Sequence, residues 1–142
     1  MASVVITDLA IQEALIGMLS RAGQSLAVRL YVNNVLPNRA NSDPAQFTEA
    51  SYPGYVASPW TYTPVVIDAS HRGQLAAATP VFSPPSSGAD VSVYGWFVTY
   101  LGLQDALAHV LVASPFSAPP RVLTVGGPGL SLNISFSDFD AS

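Results

Sequence analysis

"VSVYGWFVTYLGL", residues 91–103, decides how this chain is read. Successive side chains of a strand point to opposite faces. Here both faces are apolar, with Val93, Phe97 and Leu101 on one and Tyr94, Trp96, Val98 and Tyr100 on the other. Such a strand has to be covered on both sides. "ALAHVLVAS", residues 106–114, follows as its hairpin partner across a turn from Gly102 to Asp105.

Working upstream, "LAVRLYVN", residues 26–33, alternates Leu26, Val28, Leu30 and Val32 with Ala27, Arg29, Tyr31 and Asn33, which predicts a strand with one face inward. "NNVLPNRANSDPAQ" then gathers turn-forming Asn, Pro, Asp and Ser into a long surface loop at about 33–46. Loops of that length in compact domains are commonly functional or disordered. Further on, "TYTPVVID" reads as a short strand, placed at an edge by Pro64, and "RGQLAAATPVF" as a weaker one before the turn-rich "SPPSSGAD". "RVLTV" leads through "GGPG" to "LSLNISFSD", residues 130–138, where Leu130, Leu132, Ile134 and Phe136 alternate with polar neighbours. About seven or eight short strands with turn chemistry between them predict a mainly β chain, one antiparallel β-sandwich or jelly-roll-like domain over 1–142.

One helix is predicted, at about 7–22, in "TDLAIQEALIGMLSRAG". Thr7 or Asp8 can cap it, and Gly23 can end it. Ile11, Leu15 and Met18 share a stripe meant to be covered, either by the chain's own sheet or by a neighbouring subunit.

Composition narrows the function. Of the 142 residues 49% are hydrophobic and only 10% charged, where an ordinary globular domain carries about 25% charge. A membrane span needs about 20 mostly apolar residues, and the long uncharged run from Ala50 to Ile67 is broken by Pro53, Pro59 and Pro64. No basic residue precedes the first apolar residues, so no secretion signal is expected. Lysine is absent, and five arginines stand against nine carboxylates for a net charge of −4. That balance argues against nucleic acid as a partner, since phosphate binding relies on clustered cations. With no cysteine, neither a disulfide nor a thiolate site is available.

Catalytic signals are weak. His109, inside "ALAHVLV", reads as a structural histidine, and His71, near Asp68, as part of a turn without a nucleophile motif beside it. Asp138 and Asp140 alternate and could face a cation, but two carboxylates do not make a metal site, and no cofactor is expected. The chain therefore reads as non-enzymatic.

What remains is "FTEASYPGYVASPW", residues 47–60, with Phe47, Tyr52, Tyr55 and Trp60 in a stretch too broken by proline for one core strand. These rings are either a lid folded over the chain's own sheet or anchors for another subunit, since Tyr and Trp favour interfaces. The low charge of the whole chain favours the second. Phe47, Tyr52, Tyr55 and Trp60, with Ile11, Leu15 and Met18, are thus the candidate interface residues.

In order along the chain, "LAVRLYVNN" followed by Pro37, "FTEA" leading to Gly54-Tyr55, and the pairs Tyr94-Gly95 and Val98-Thr99 resemble the pattern of small virion proteins of tailed bacteriophages. The stretch from Leu103 to Pro120 and the "GGPG" end do not share that pattern. The resemblance implies a structural role, most like a capsid decoration or cement protein. It also implies a homo-oligomer, commonly a trimer, bound to the major capsid protein in a virion assembled in the host cytoplasm. The alternative is a phage tail or receptor-binding sandwich contacting a host glycan through its rings and Asn33, Asn34, Asn38 and Asn41.

Overall fold

The computed structural model describes residues 26–38, 40–60, 66–67, 73–102, 105 and 107–139. Among these the chain is mainly β, with antiparallel pairing throughout, and its helical element is a single 3-10 turn at Pro44–Gln46. The expected helix at 7–22, with Ile11, Leu15 and Met18, lies outside the described residues. The strands are β1 (Ala27–Tyr31), β2 (Ser58–Pro59), β3 (Val66–Ile67), β4 (Gly73–Ala78), β5 (Val81–Phe82), β6 (Val91–Val93), β7 (Gly95–Leu101), β8 (Ala108–Pro115), β9 (Arg121–Leu123), β10 (Leu130–Ser131) and β11 (Ile134–Phe139).

The chain forms two compact units. One, made of Ser25–Trp60 and Pro80–Leu132, carries a four-stranded sheet in the order β2-β1-β7-β8 and two ribbons, β5 with β10 and β6 with β9. The other, made of Met1–Gln24, Thr61–Thr79 and Asn133–Ser142, carries the sheet β11-β4-β3.

The β7–β8 hairpin forms where the sequence places it, from Gly95 opposite Pro115 to Leu101 opposite Ala108. Its partner on the other side is β1, with Val28 opposite Val98 and Arg29 opposite Phe97. Phe97 is 4% exposed and Val98 0%, so β7 is covered on both faces at its centre. On one face Phe47 stacks on Phe97 with ring centroids 4.9 Å apart and tilts against Tyr31 at 4.7 Å. Val35, Tyr94, Val110 and Ala113 pack around these three rings. A register shift between Val98 and Thr99 makes this possible, because β8 carries Leu111 as an extra residue there. The bulge returns Val110 to the same face as Ala113, where strict alternation would have turned it away.

Two strands expected to be continuous are divided. In residues 91–103, β6 pairs with β9 while β7 joins β1 and β8, and Tyr94 is the joint. The division has a steric element at Gly95, whose missing side chain leaves room for the Tyr31 hydroxyl and the Ser114 carbonyl. In residues 130–138, β10 pairs with β5 and β11 with β4. The cause lies in the facing chain: Pro80 stands between β4 and β5 and has no N–H, so it accepts a hydrogen bond from the Leu132 N–H at 2.9 Å and returns none. The ladder stops opposite it.

Candidate functional site

The aromatic stretch 47–60 runs beside β1 as a broken edge strand. Glu49 bridges to Tyr31, the Ala50 N–H donates to the Leu30 carbonyl at 2.9 Å, and Ser58 and Pro59 pair with Val28 and Ala27. Pro59 is tolerated because this is the outer strand. Between those pairings the chain loops out through Pro53 and Gly54, leaving the Leu30 N–H without a backbone partner. The Tyr55 hydroxyl fills that place, accepting from Leu30 at 3.2 Å and donating to Glu49 Oε1 at 3.0 Å. Arg29 completes the group, its Nη1 donating to both Glu49 carboxylate oxygens at 2.9 and 3.2 Å. Burial, opposed by the Leu30 N–H and reinforced by the Glu49 charge, holds the Tyr55 hydroxyl far above the ordinary tyrosine pKa, so it stays protonated.

Of the two placements expected for these rings, the single chain has them against its own residues. Phe47, Tyr52 and Trp60 are 5%, 8% and 9% exposed, and Tyr55 is half-buried. Phe47 fills the gap between Tyr31 and Phe97. Tyr52 donates its hydroxyl proton to the Ser83 carbonyl at 2.7 Å, and Tyr55 lies parallel over Phe82 with centroids 6.1 Å apart. The physical reason is the loop-out itself: prolines stop the stretch from alternating like one strand, so Phe47 packs on Tyr31 and Phe97 while Tyr52 and Tyr55 reach Ser83 and Phe82. Three of the asparagines are likewise used locally. Asn33 donates to the Gln46 carbonyl and accepts from the Thr48 N–H, Asn38 accepts from the Ala40 N–H, and Asn41 accepts from the Asp43 N–H.

A second group was missed by sequence reasoning. At the turn of the β7–β8 hairpin, Asp105 Oδ2 lies 2.8 Å from His109 Nε2. On the other side of the imidazole, Ser42 Oγ from the 33–46 loop lies 3.1 Å from Nδ1. The Leu107 main-chain N–H, bonded to Asp105 Oδ1, and then the His109 ring hold the Asp105 carboxyl below the ordinary carboxylate pKa. An ionised Asp105 orients the ring with Nε2–H towards itself, which leaves the Nδ1 lone pair to accept the Ser42 hydroxyl proton. Gly102 permits this approach: a Cβ there would collide with Asp105 Oδ1 and stand 2.8 Å from His109 Cδ2. Both ring nitrogens of His109 are therefore partnered. The signal available in the sequence was the length of the polar loop, together with Asp105 four residues before His109 across a turn.

Asp68, His71 and Asp140 lie outside the described residues, and Asp138 falls on β11. Among the described residues no three His, Asp or Glu side chains converge as metal ligands, and no helix is long and apolar enough to cross a membrane. Large aliphatic side chains do reach the surface: Leu36, Val56, Val81, Leu107 and Val122 are all more than half exposed, and Val125 is 39% exposed. No protein-family model matches the chain, and no curated protein or solved structure is significantly similar to it.

Proposed function

We propose that the chain is a structural assembly subunit, a β-sandwich that acts as a capsid decoration protein by joining copies of itself, as a trimer, to the major capsid protein of a phage shell. One observation carries the reading. A chain with 10% charged residues exposes, among its described residues, Leu36, Val56, Val81, Leu107, Val122 and Val125, while Phe47, Tyr52 and Trp60 are buried. Scattered exposed apolar residues are ordinary. Combined with so little charge, they are the surface from which assembly contacts are made. Burial of both faces of β7 supports the sandwich arrangement, and the motif order described above supports the virion setting.

In this reading the contact residues are the exposed aliphatic groups, and the rings of 47–60 shape the scaffold beneath them. The test is light scattering together with co-sedimentation on purified phage capsids. The expected outcome is a stable oligomer that binds shells, and loss of both on replacing Val81 and Val122 by serine, with the unfolding midpoint unchanged. A monomer at high concentration that leaves capsids bare would end the proposal.

A further inference from the structure

Beyond an assembly role, we propose that Ser42, His109 and Asp105 form a nucleophile site that transfers a short acyl group from a carboxylic ester to water. Three features of the geometry carry this. First, a hydroxyl, an imidazole and a carboxylate lie in one hydrogen-bonded line, 3.1 Å and 2.8 Å apart, with the two bonds on opposite ring nitrogens. That is the arrangement by which a base activates a nucleophile and a third group orients the base, recognised by roles and geometry whatever the order in the chain. Here the serine faces Nδ1 and the carboxylate Nε2, which leaves the proton relay chemically equivalent.

Second, the nucleophile is held in place. The Ser42 carbonyl accepts the Val110 N–H at 2.7 Å, which ties the loop to the outer edge of β8. The Gln46 amide donates to the carbonyls on both sides, Asn41 at 2.8 Å and Asp43 at 3.0 Å. Such bracing fixes a reacting group better than an unsupported loop does. Third, the group is open to substrate, since the side chains of His109 and Asp105 are 25% and 44% exposed. Among the described residues, the Tyr100 ring, 6.0 Å from the imidazole, and the exposed Leu107 offer apolar surface to an acyl group. A site exposed in this way is matched to a short acyl group, which needs little apolar surface to be held.

In the acylation step Ser42 Oγ forms a bond to the ester carbonyl carbon as its proton passes to His109 Nδ1. The bond from that carbon to the alcohol oxygen breaks, and the alcohol leaves with the proton from Nδ1. Water then attacks the acyl-serine, losing one proton to Nδ1. The bond from the acyl carbon to Ser42 Oγ then breaks, and the carboxylic acid departs as that proton passes from Nδ1 to Oγ. No oxidant or reductant enters. Ser42 and His109 are the catalytic residues, and Asp105 is a positioning residue acting through the imidazole.

The test uses the full chain with two probes, a fluorophosphonate followed by peptide mapping, and p-nitrophenyl acetate turnover. The expected result is covalent labelling at Ser42 and ester turnover lost in Ser42→Ala. Both rates should fall at least about a hundredfold in His109→Gln, the lower end of what a general base contributes. Asp105→Asn should change the pH profile of labelling rather than abolish it. Circular dichroism of each variant separates lost chemistry from lost fold. An unlabelled Ser42 in the folded protein, or labelling indifferent to His109→Gln, would overturn the proposal and leave the three residues as a clip between loop and hairpin. Neither result bears on capsid binding, which is read separately.

Discussion

The two halves of the connection from β1 to β2 make the same journey with opposite chemistry. Residues 47–60 carry Phe47, Tyr52, Tyr55 and Trp60, and bury most of that ring surface against the chain's own sheet. Residues 38 and 40–46 carry no ring, stay largely exposed, and are held by side-chain hydrogen bonds from Asn38, Asn41, Asp43 and Gln46. The first half is fixed by burial and the second by local polar geometry. Aromatic richness in a proline-broken stretch therefore reported on the core, while the polar half holds the hydroxyl that meets an imidazole.

The contrast breaks most directly at Phe47. If its ring is core, Phe47→Ala should lower the unfolding free energy by about 3–5 kcal/mol in urea denaturation. If it were an assembly anchor, the isolated chain would unfold as before. Gly95→Ala tests the same cluster from beneath. The added Cβ meets the Tyr31 ring and the Ser114 carbonyl, which is main chain and cannot rotate away. A loss of about 3 kcal/mol is expected, at the upper end for overpacking. Tyr55→Phe keeps the ring over Phe82 but removes the acceptor for the Leu30 N–H, so about 1–3 kcal/mol should be lost for an unsatisfied donor.

pH separates the halves without a mutation. Burial raises the pKa of Tyr31, Tyr52 and Tyr55 above the ordinary tyrosine value. A raised folded-state pKa gives stability that is complete below about pH 10, the unfolded value, and lost as pH rises above it. Asp105 is shifted the other way, so its contribution is present above about pH 4 and lost as pH falls below that value. Denaturation midpoints followed against pH should therefore fall in alkali through the rings, less so in Tyr55→Phe. The acid arm should respond to Asp105→Asn.

The parts legible in the sequence were those set by local pattern. The β7–β8 hairpin followed from two apolar faces and a turn, and β1 from the alternation through Leu30. Tyr31 escaped that reading: alternation assigned it outward with Arg29, yet it is fully buried because Phe47 returns over its face. The breaks at Tyr94 and opposite Pro80 also depend on the strand alongside, which no run of residues records about itself. Ser42 and His109 are 67 positions apart, so their meeting required the register of the hairpin and the path of the loop together.

The smallest expected effect is also the most discriminating. Ser42 presents two groups, and only one of them holds the loop: its main-chain carbonyl ties the 33–46 segment to Val110, while its hydroxyl reaches the imidazole from an exposed position. Ser42→Ala removes the hydroxyl and leaves the carbonyl, so stability should change by no more than about 0.5 kcal/mol, as for other surface substitutions. Urea denaturation of this variant beside Phe47→Ala places the two halves of one connection on one scale. A Ser42→Ala protein destabilised as much as Tyr55→Phe would mean that the hydroxyl is structural and that the polar half is built on the same terms as the aromatic one.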